Sequence, residues 1–133
     1  MNRFSFFSVL LILLVSIGFY HATEATSTDI TKLKSGKPIE KEMRGSEVHV
    51  YLVSLKSDQF MFATVEQHGI DVVVKIFSPN DEQIDEIDAP TGDRGSEYIS
   101  LVTKTSGDYR IEIHPFDAKA KPGKYRKDRK SSG

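Results

Sequence analysis

The stretch Phe60–Phe77, FMFATVEQHGIDVVVKIF, narrows most what this chain can fold into. Two runs rich in β-branched and aromatic residues flank His68-Gly69. In the second run Ile70, Val72, Val74 and Ile76 share one side while Asp71 and Lys75 take the other, the two-residue period of a half-buried strand. A glycine at the reversal admits positive φ, so the stretch predicts a β-hairpin. A lone hairpin is marginal in water, and this one requires a second layer of strands over its apolar side.

Strand-like segments recur along the chain at intervals of about 8–12 residues. Pro38–Met43 ends at Arg44-Gly45-Ser46, and Glu47–Leu55 sets Val48, Val50 and Leu52 against His49 and Tyr51. Lys56–Gln59 is a turn cluster, and Ser78-Pro79-Asn80-Asp81 is a turn whose proline has φ already fixed. Gln83–Asp88 has only Ile84 and Ile87 as apolar residues and reads as an edge strand guarded by carboxylates. Ala89–Gly95 is an irregular loop, followed by strands at Glu97–Thr103 and Asp108–His114 and a further one at Lys124–Arg129. No 3.6-residue period appears beyond the N-terminal segment, so the fold class is all-β, an antiparallel sandwich or barrel.

A length of 133 residues gives room for one domain. Met1-Asn2-Arg3 followed by the apolar run Phe4–Tyr20 and small polar residues has the layout of a helical signal peptide. Cleavage after Ala25 or after Gly18 fits the small-x-small rule, and an uncleaved N-terminal anchor is the alternative. The expected division is a signal peptide over residues 1–25, a linker over 26–34, a β-sandwich over 35–126 and a basic disordered tail over 127–133. Such a chain is exported, to the periplasm or beyond, and touches membrane only if the first segment is retained. The absence of cysteine leaves an exported domain held by its core alone and removes thiol chemistry. A net charge of −1 gives no field for nucleic acid.

Four blocks in order, G-x-x-I-E-x-E-x-x-G (Gly36–Gly45), V-x-V-Y-L-V-S-L (Val48–Leu55), E-Q-H-G-I-D-V-V-V-K-I-F-S-P-N-D (Glu66–Asp81) and S-G-D-Y-R-I-E-I (Ser106–Ile113), resemble the bacterial pre-peptidase C-terminal domain. The match is to the variant found near the N-termini of exported multidomain proteins, and it covers Leu33 to Tyr125. The resemblance implies a jelly-roll-like β-sandwich, here of about seven to eight strands, that serves as a non-catalytic accessory module. Some members bind calcium, and some attached to secreted proteases assist substrate binding or secretion. Two departures stand out: Val73 occupies the second position of an Asp-x-Asp common in the family, and the last strand gives way to Arg126-Lys127-Asp128-Arg129-Lys130.

Asp81, Asp85, Asp88 and Asp93 are the candidate calcium ligands, since Ca²⁺ takes six to eight oxygens; a solvated edge strand explains them as well. Gly69, Asp71, Pro79 and Gly107 are read as turn residues, Asp71 through bonds to nearby backbone N–H groups. Tyr51, Phe62 and Tyr98 are candidates for a binding face that stacks on sugar rings or an extended peptide, against ordinary core pairing. The basic residues from Lys119 to Lys130 suit an anionic surface or a solvated terminus. His49, His68 and His114 lack the spacing of a metal site and stand near no nucleophile motif, so no enzyme is expected. The chain is therefore expected to be an exported accessory module for an extracytoplasmic protein or glycan, with no cofactor beyond the calcium candidate. The alternative is the detached or truncated leading domain of a larger peptidase, hydrolase or repeat protein, with a structural or secretion-assisting role.

Overall fold

The two runs around His68-Gly69 become strands, but they do not pair with each other. The computed structural model describes residues 28–131, so the signal-like segment, the start of the expected linker and residues 132–133 lie outside it. Nine strands are present among the described residues: β1 (Ile30–Lys32), β2 (Ile39–Met43), β3 (His49–Leu55), β4 (Phe60–His68), β5 (Val72–Phe77), β6 (Gln83–Ile87), β7 (Ser96–Val102), β8 (Gly107–Pro115) and β9 (Gly123–Ser131). They form a five-stranded sheet in the order β1-β3-β8-β5-β6 and a four-stranded sheet in the order β2-β9-β4-β7. Every pairing is antiparallel except β1 with β3. The result is the all-β sandwich that the alternation and the resemblance imply. Its one helical turn among the described residues is Gly92–Arg94.

The expected hairpin is instead a crossover from one sheet to the other. β4 belongs to the four-stranded sheet and β5 to the five-stranded one. Their buried sides, Met61, Ala63 and Val65 on one and Val72, Val74 and Ile76 on the other, join one core from opposite walls. Fully burying each Val, Ile or Met contributes about 1.5–3 kcal/mol. Gly69 turns the chain at φ +89°, and Ile70 is buried where a hairpin would expose its turn. Gln67 Oε1 accepts the Val72 N–H at 2.6 Å, standing in for the carbonyl of a neighbouring strand. The start of β9 runs against this crossover: a Cβ at Gly123 would sit 2.5 Å from the Gly69 carbonyl oxygen.

Three other expectations are corrected. Within the stretch read as a linker, Ile30–Lys32 pairs with β3 and Leu33 is buried. In β3 the core side is Tyr51, Val53 and Leu55, with Val50 buried on the opposite side. Tyr51 can enter because its hydroxyl finds the Tyr125 hydroxyl at 2.5 Å. The tail is also not a tail. β9 extends to Ser131 and is central in its sheet, hydrogen-bonded to β2 on one side and β4 on the other. Its charges follow the pleat, with Lys124, Arg126 and Lys130 exposed while Tyr125 and Lys127 are buried.

Lys127 is the unusual member of the core, at 2 % exposure. Its ammonium lies 5.1 Å from the Tyr51 ring centroid, and Lys41 stands 5.7 Å from the same ring. Tyr125, the hydroxyl partner of Tyr51, also bonds His49 Nδ1 at 2.7 Å. Burial, and then the Arg129 guanidinium, bring the Lys127 pKa down from 10.5 to about 7. Burial and then Lys41 lower that of His49, while burial raises those of Tyr51 and Tyr125.

A chain stopped at Pro122 loses the strand that joins β2 to β4, and it is expected to show no cooperative unfolding transition by circular dichroism. A second expectation concerns pH. Between about 7 and 10.5 the unfolded chain holds the Lys127 proton and the folded chain does not, so stability climbs as pH rises through that window. Lys127→Met is expected to raise the melting temperature at pH 7 by about 5 °C and to flatten its rise between pH 7 and 9. An unchanged pH slope in this variant would show that Lys127 is not its source.

Candidate binding face

The pairing of β4 with β7 sets Phe60 opposite Val102, Phe62 opposite Ser100 and Thr64 opposite Tyr98. The alternate residues of both strands, from Met61 through Val65 and at Ile99, are in the core, so this set lies on the outer side of the sheet. Tyr98 is 61 % exposed, Val102 64 % and Phe60 42 %, and the half-buried Phe62 ring lies 6.3 Å from that of Tyr98 at 22°. The two rings form an offset platform, with Val102 and Phe60 continuing it along the strands. Lys130 of β9 borders it opposite Phe62. Two of the three candidate face residues, Phe62 and Tyr98, therefore come together. Tyr51 does not: it lies in the core and is corrected from a face residue to a structural one.

The platform rests on a fixed support. Behind Tyr98, the buried Glu97 accepts Gln67 Nε2 on one carboxylate oxygen at 3.2 Å and the Ala89 N–H on the other at 2.8 Å. Gln67 also reaches Thr91 Oγ1 at 3.2 Å. These bonds tie the 89–91 loop to β4 and β7, so the backbone under the platform is held by satisfied polar groups.

The carboxylates singled out for calcium do not converge. Asp81 pairs with Arg110, and Asp85 Oδ1 accepts the Glu86 N–H at 2.8 Å. Asp88 and Asp93 lie near Asp71, whose carboxyl is pushed upward chiefly by burial and then by those two charges. Among the described residues, no three His, Asp or Glu side chains are grouped so as to hold a metal. The four carboxylates are therefore not gathered at one point among the described residues. Gly107, at φ +148°, packs against Pro79 at the turn before β8, so Pro79 and Gly107 meet there. Asp71 accepts Phe116 N–H through its backbone carbonyl, whereas its buried Oδ1 has no partner.

His49, His68 and His114 stay apart. His49 bonds Tyr125, His68 stands 3.8 Å from Glu66, and His114 Nε2 lies 2.8 Å from Glu112. Among the described residues the one hydroxyl bonded to any of them belongs to Tyr125, whose proton burial holds firmly, which makes it a poor nucleophile.

Sequence reasoning did not single out Val102 or foresee a buried Lys127. Phe60 and Phe62 share a parity, as do Tyr98 and Val102, but that parity shows a face only once β4 and β7 are known to be neighbours.

These features define a two-sheet β-sandwich with an aromatic platform on the outer side of one sheet. The same fold is found in the pre-peptidase C-terminal domain of collagenase from Bacillus anthracis, with a TM-score of 0.61 and 16% identity over 77% of this chain and 96% of that one. It recurs in PliG, a periplasmic lysozyme inhibitor of g-type lysozyme, from Aeromonas hydrophila (TM-score 0.57, 15% identity, 76% of this chain and 96% of that one). A mutant of PliG from Escherichia coli matches with a TM-score of 0.52 and 18% identity over 78% of this chain and 100% of that one. No family model and no curated protein matches the sequence.

Because no three carboxylates among the described residues are grouped to hold a metal, the protein is expected to keep its melting temperature within about 1 °C on addition of millimolar Ca²⁺ or of a chelator. A rise of several degrees with calcium would reveal a site that forms only on binding.

Proposed function

We propose that this chain is an exported, non-catalytic binding module that holds a protein partner on the outer side of its four-stranded sheet. The observation that carries this reading is the contiguous row Phe60, Phe62, Tyr98 and Val102, in which large apolar side chains remain open to solvent. Aromatic side chains supply large contact area with little loss of rotamer freedom, and they are enriched where partners dock. The other outward strands in this sheet present Glu40, Glu42, Lys124 and Arg126, a solvated surface by comparison. Support for a protein partner also comes from the PliG structures, in which a sandwich of this shape belongs to an inhibitor of an enzyme. The signal-like segment favours an extracytoplasmic location.

The test is capture from cell-envelope extract on the immobilised chain, run beside a Phe62→Ser, Tyr98→Ser double variant. Both side chains lie outside the core, so the variant is expected to melt within about 3 °C of the parent. A defined protein retained by the parent and lost at least tenfold by the variant supports the reading. Equal retention by both would remove the platform from the function. Retention of polysaccharide alone would replace the protein with a glycan stacked on the Phe62 and Tyr98 rings.

A further inference from the structure

Among the described residues the sandwich has four edge strands, and three are blunted. β1 is three residues long. β2 carries Glu40 and Glu42 outward. β6 carries Asp85 and Glu86, and its pairing with β5 slips register between Ile76 and Phe77. Short strands, charges and irregular register are the usual means of preventing a sheet edge from pairing with another chain. β7 has none of them. Its outward residues Tyr98, Ser100 and Val102 are uncharged, and its one charged side chain, Glu97, is buried and fully bonded inside.

The free backbone groups of β7 lie under the platform. Thr103 N–H donates to Gln59 O and Gln67 N–H donates to Gly95 O, closing the β4–β7 pairing at both ends. The antiparallel pattern then turns the N–H and C=O of Glu97, Ile99 and Leu101 toward β4, and those of Tyr98, Ser100 and Val102 away from the sheet. On the inner side the edge borders a cleft of about 520 Å³ between β6 and β7, lined by Glu82, Ile84, Asp85, Leu101 and Lys104. Glu82 and Asp85 make no ion pair among the described residues.

We propose that β7 takes up an extended segment of a partner protein as a fifth strand, and that this segment alternates apolar with cationic side chains. Its apolar residues lie beside Tyr98 and Val102 on the platform, and its cationic residues face Glu82 and Asp85 across the cleft. Lys104 also lines the cleft and disfavours a cationic side chain beside it. The charge pattern also argues against a second copy of this chain as the occupant. Pairing two β7 edges brings the two β6 strands alongside each other, Asp85 and Glu86 against their like. The inference rests on the protein-binding reading of the platform and adds the backbone to it.

The probe is a synthetic peptide of about seven residues that alternates lysine with valine and tyrosine, compared with the same peptide carrying glutamate for lysine. The full chain is expected to bind the lysine peptide at least about tenfold more tightly than the glutamate peptide. Amide exchange measured by NMR is expected to slow at Tyr98, Ser100 and Val102. Equal binding of the two peptides, or protection elsewhere, overturns the proposal. Ser100→Pro deletes an outward N–H that serves no bond to β4, and it is expected to abolish binding of the lysine peptide. If Ser100→Pro leaves capture of the envelope partner intact while the Phe62→Ser, Tyr98→Ser variant loses it, strand addition is wrong and the platform reading stands. If the double variant keeps the partner, the platform reading itself fails. The exchange pattern of the parent chain decides the matter even where the proline variant does not fold.

Discussion

The architecture turns on one side chain, Gln67. A chain that leaves β4 at His68 can fold back beside it or pass to the other sheet. The Gln67 carboxamide allows the second course, because its oxygen takes the first N–H of β5 while its nitrogen reaches Glu97 and Thr91. Without that acceptor the Val72 N–H loses its bond to Gln67 and is left with the neighbouring Asp71 carboxyl as its acceptor. Once β4 and β5 stand on opposite walls, β4 is left to pair with β7 and β9, and β5 with β6 and β8. The pairing that creates the aromatic platform is thus downstream of this crossover.

A second polar group sits at the other side of the core. Tyr51 comes from one sheet and Tyr125 from the other, and their hydroxyls meet with His49 as a third member. The pair lets two large rings fill the space between the sheets without leaving an orphaned hydroxyl. Lys127 shares this region, with the Tyr51 ring face beside its ammonium. Burial and then the Arg129 charge lower its pKa to about 7, and the Asp128 carboxylate offsets them only in part.

Much of the fold was legible because the period-two pattern is written plainly in β5 and β8. Ile70, Val72, Val74 and Ile76, and likewise Tyr109, Ile111 and Ile113, are all buried as their alternation requires. What the pattern does not carry is which strand lies next to which. His68-Gly69 satisfies the local rules for a hairpin and for a sheet crossing alike, and the crossing is accompanied by the inward-facing Gln67 of β4, which bonds the first N–H of β5. The same gap explains the tail. A strand with Lys or Arg at most positions reads as solvated, yet as the middle strand of a sheet it must bury every second residue. Charge at Lys127 was overridden by position. Of the candidate face, Phe62 and Tyr98 were recognisable as surplus aromatics, whereas Tyr51 was indistinguishable from them until its hydroxyl found Tyr125. The acidic residues from Asp81 to Asp93 were legible as an exposed edge and turn, but not that Asp81 pairs with Arg110 while Asp88 and Asp93 lie near Asp71.

The parallel pairing of β1 with β3 has a geometric result. The chain enters the sandwich at the edge formed by β1 and β2, where Lys41 reaches back to Asp29, and β7 is the far edge of the same body. The first described strand and the exposed edge of β7 thus lie on opposite flanks of the sandwich, with the whole width of both sheets between them.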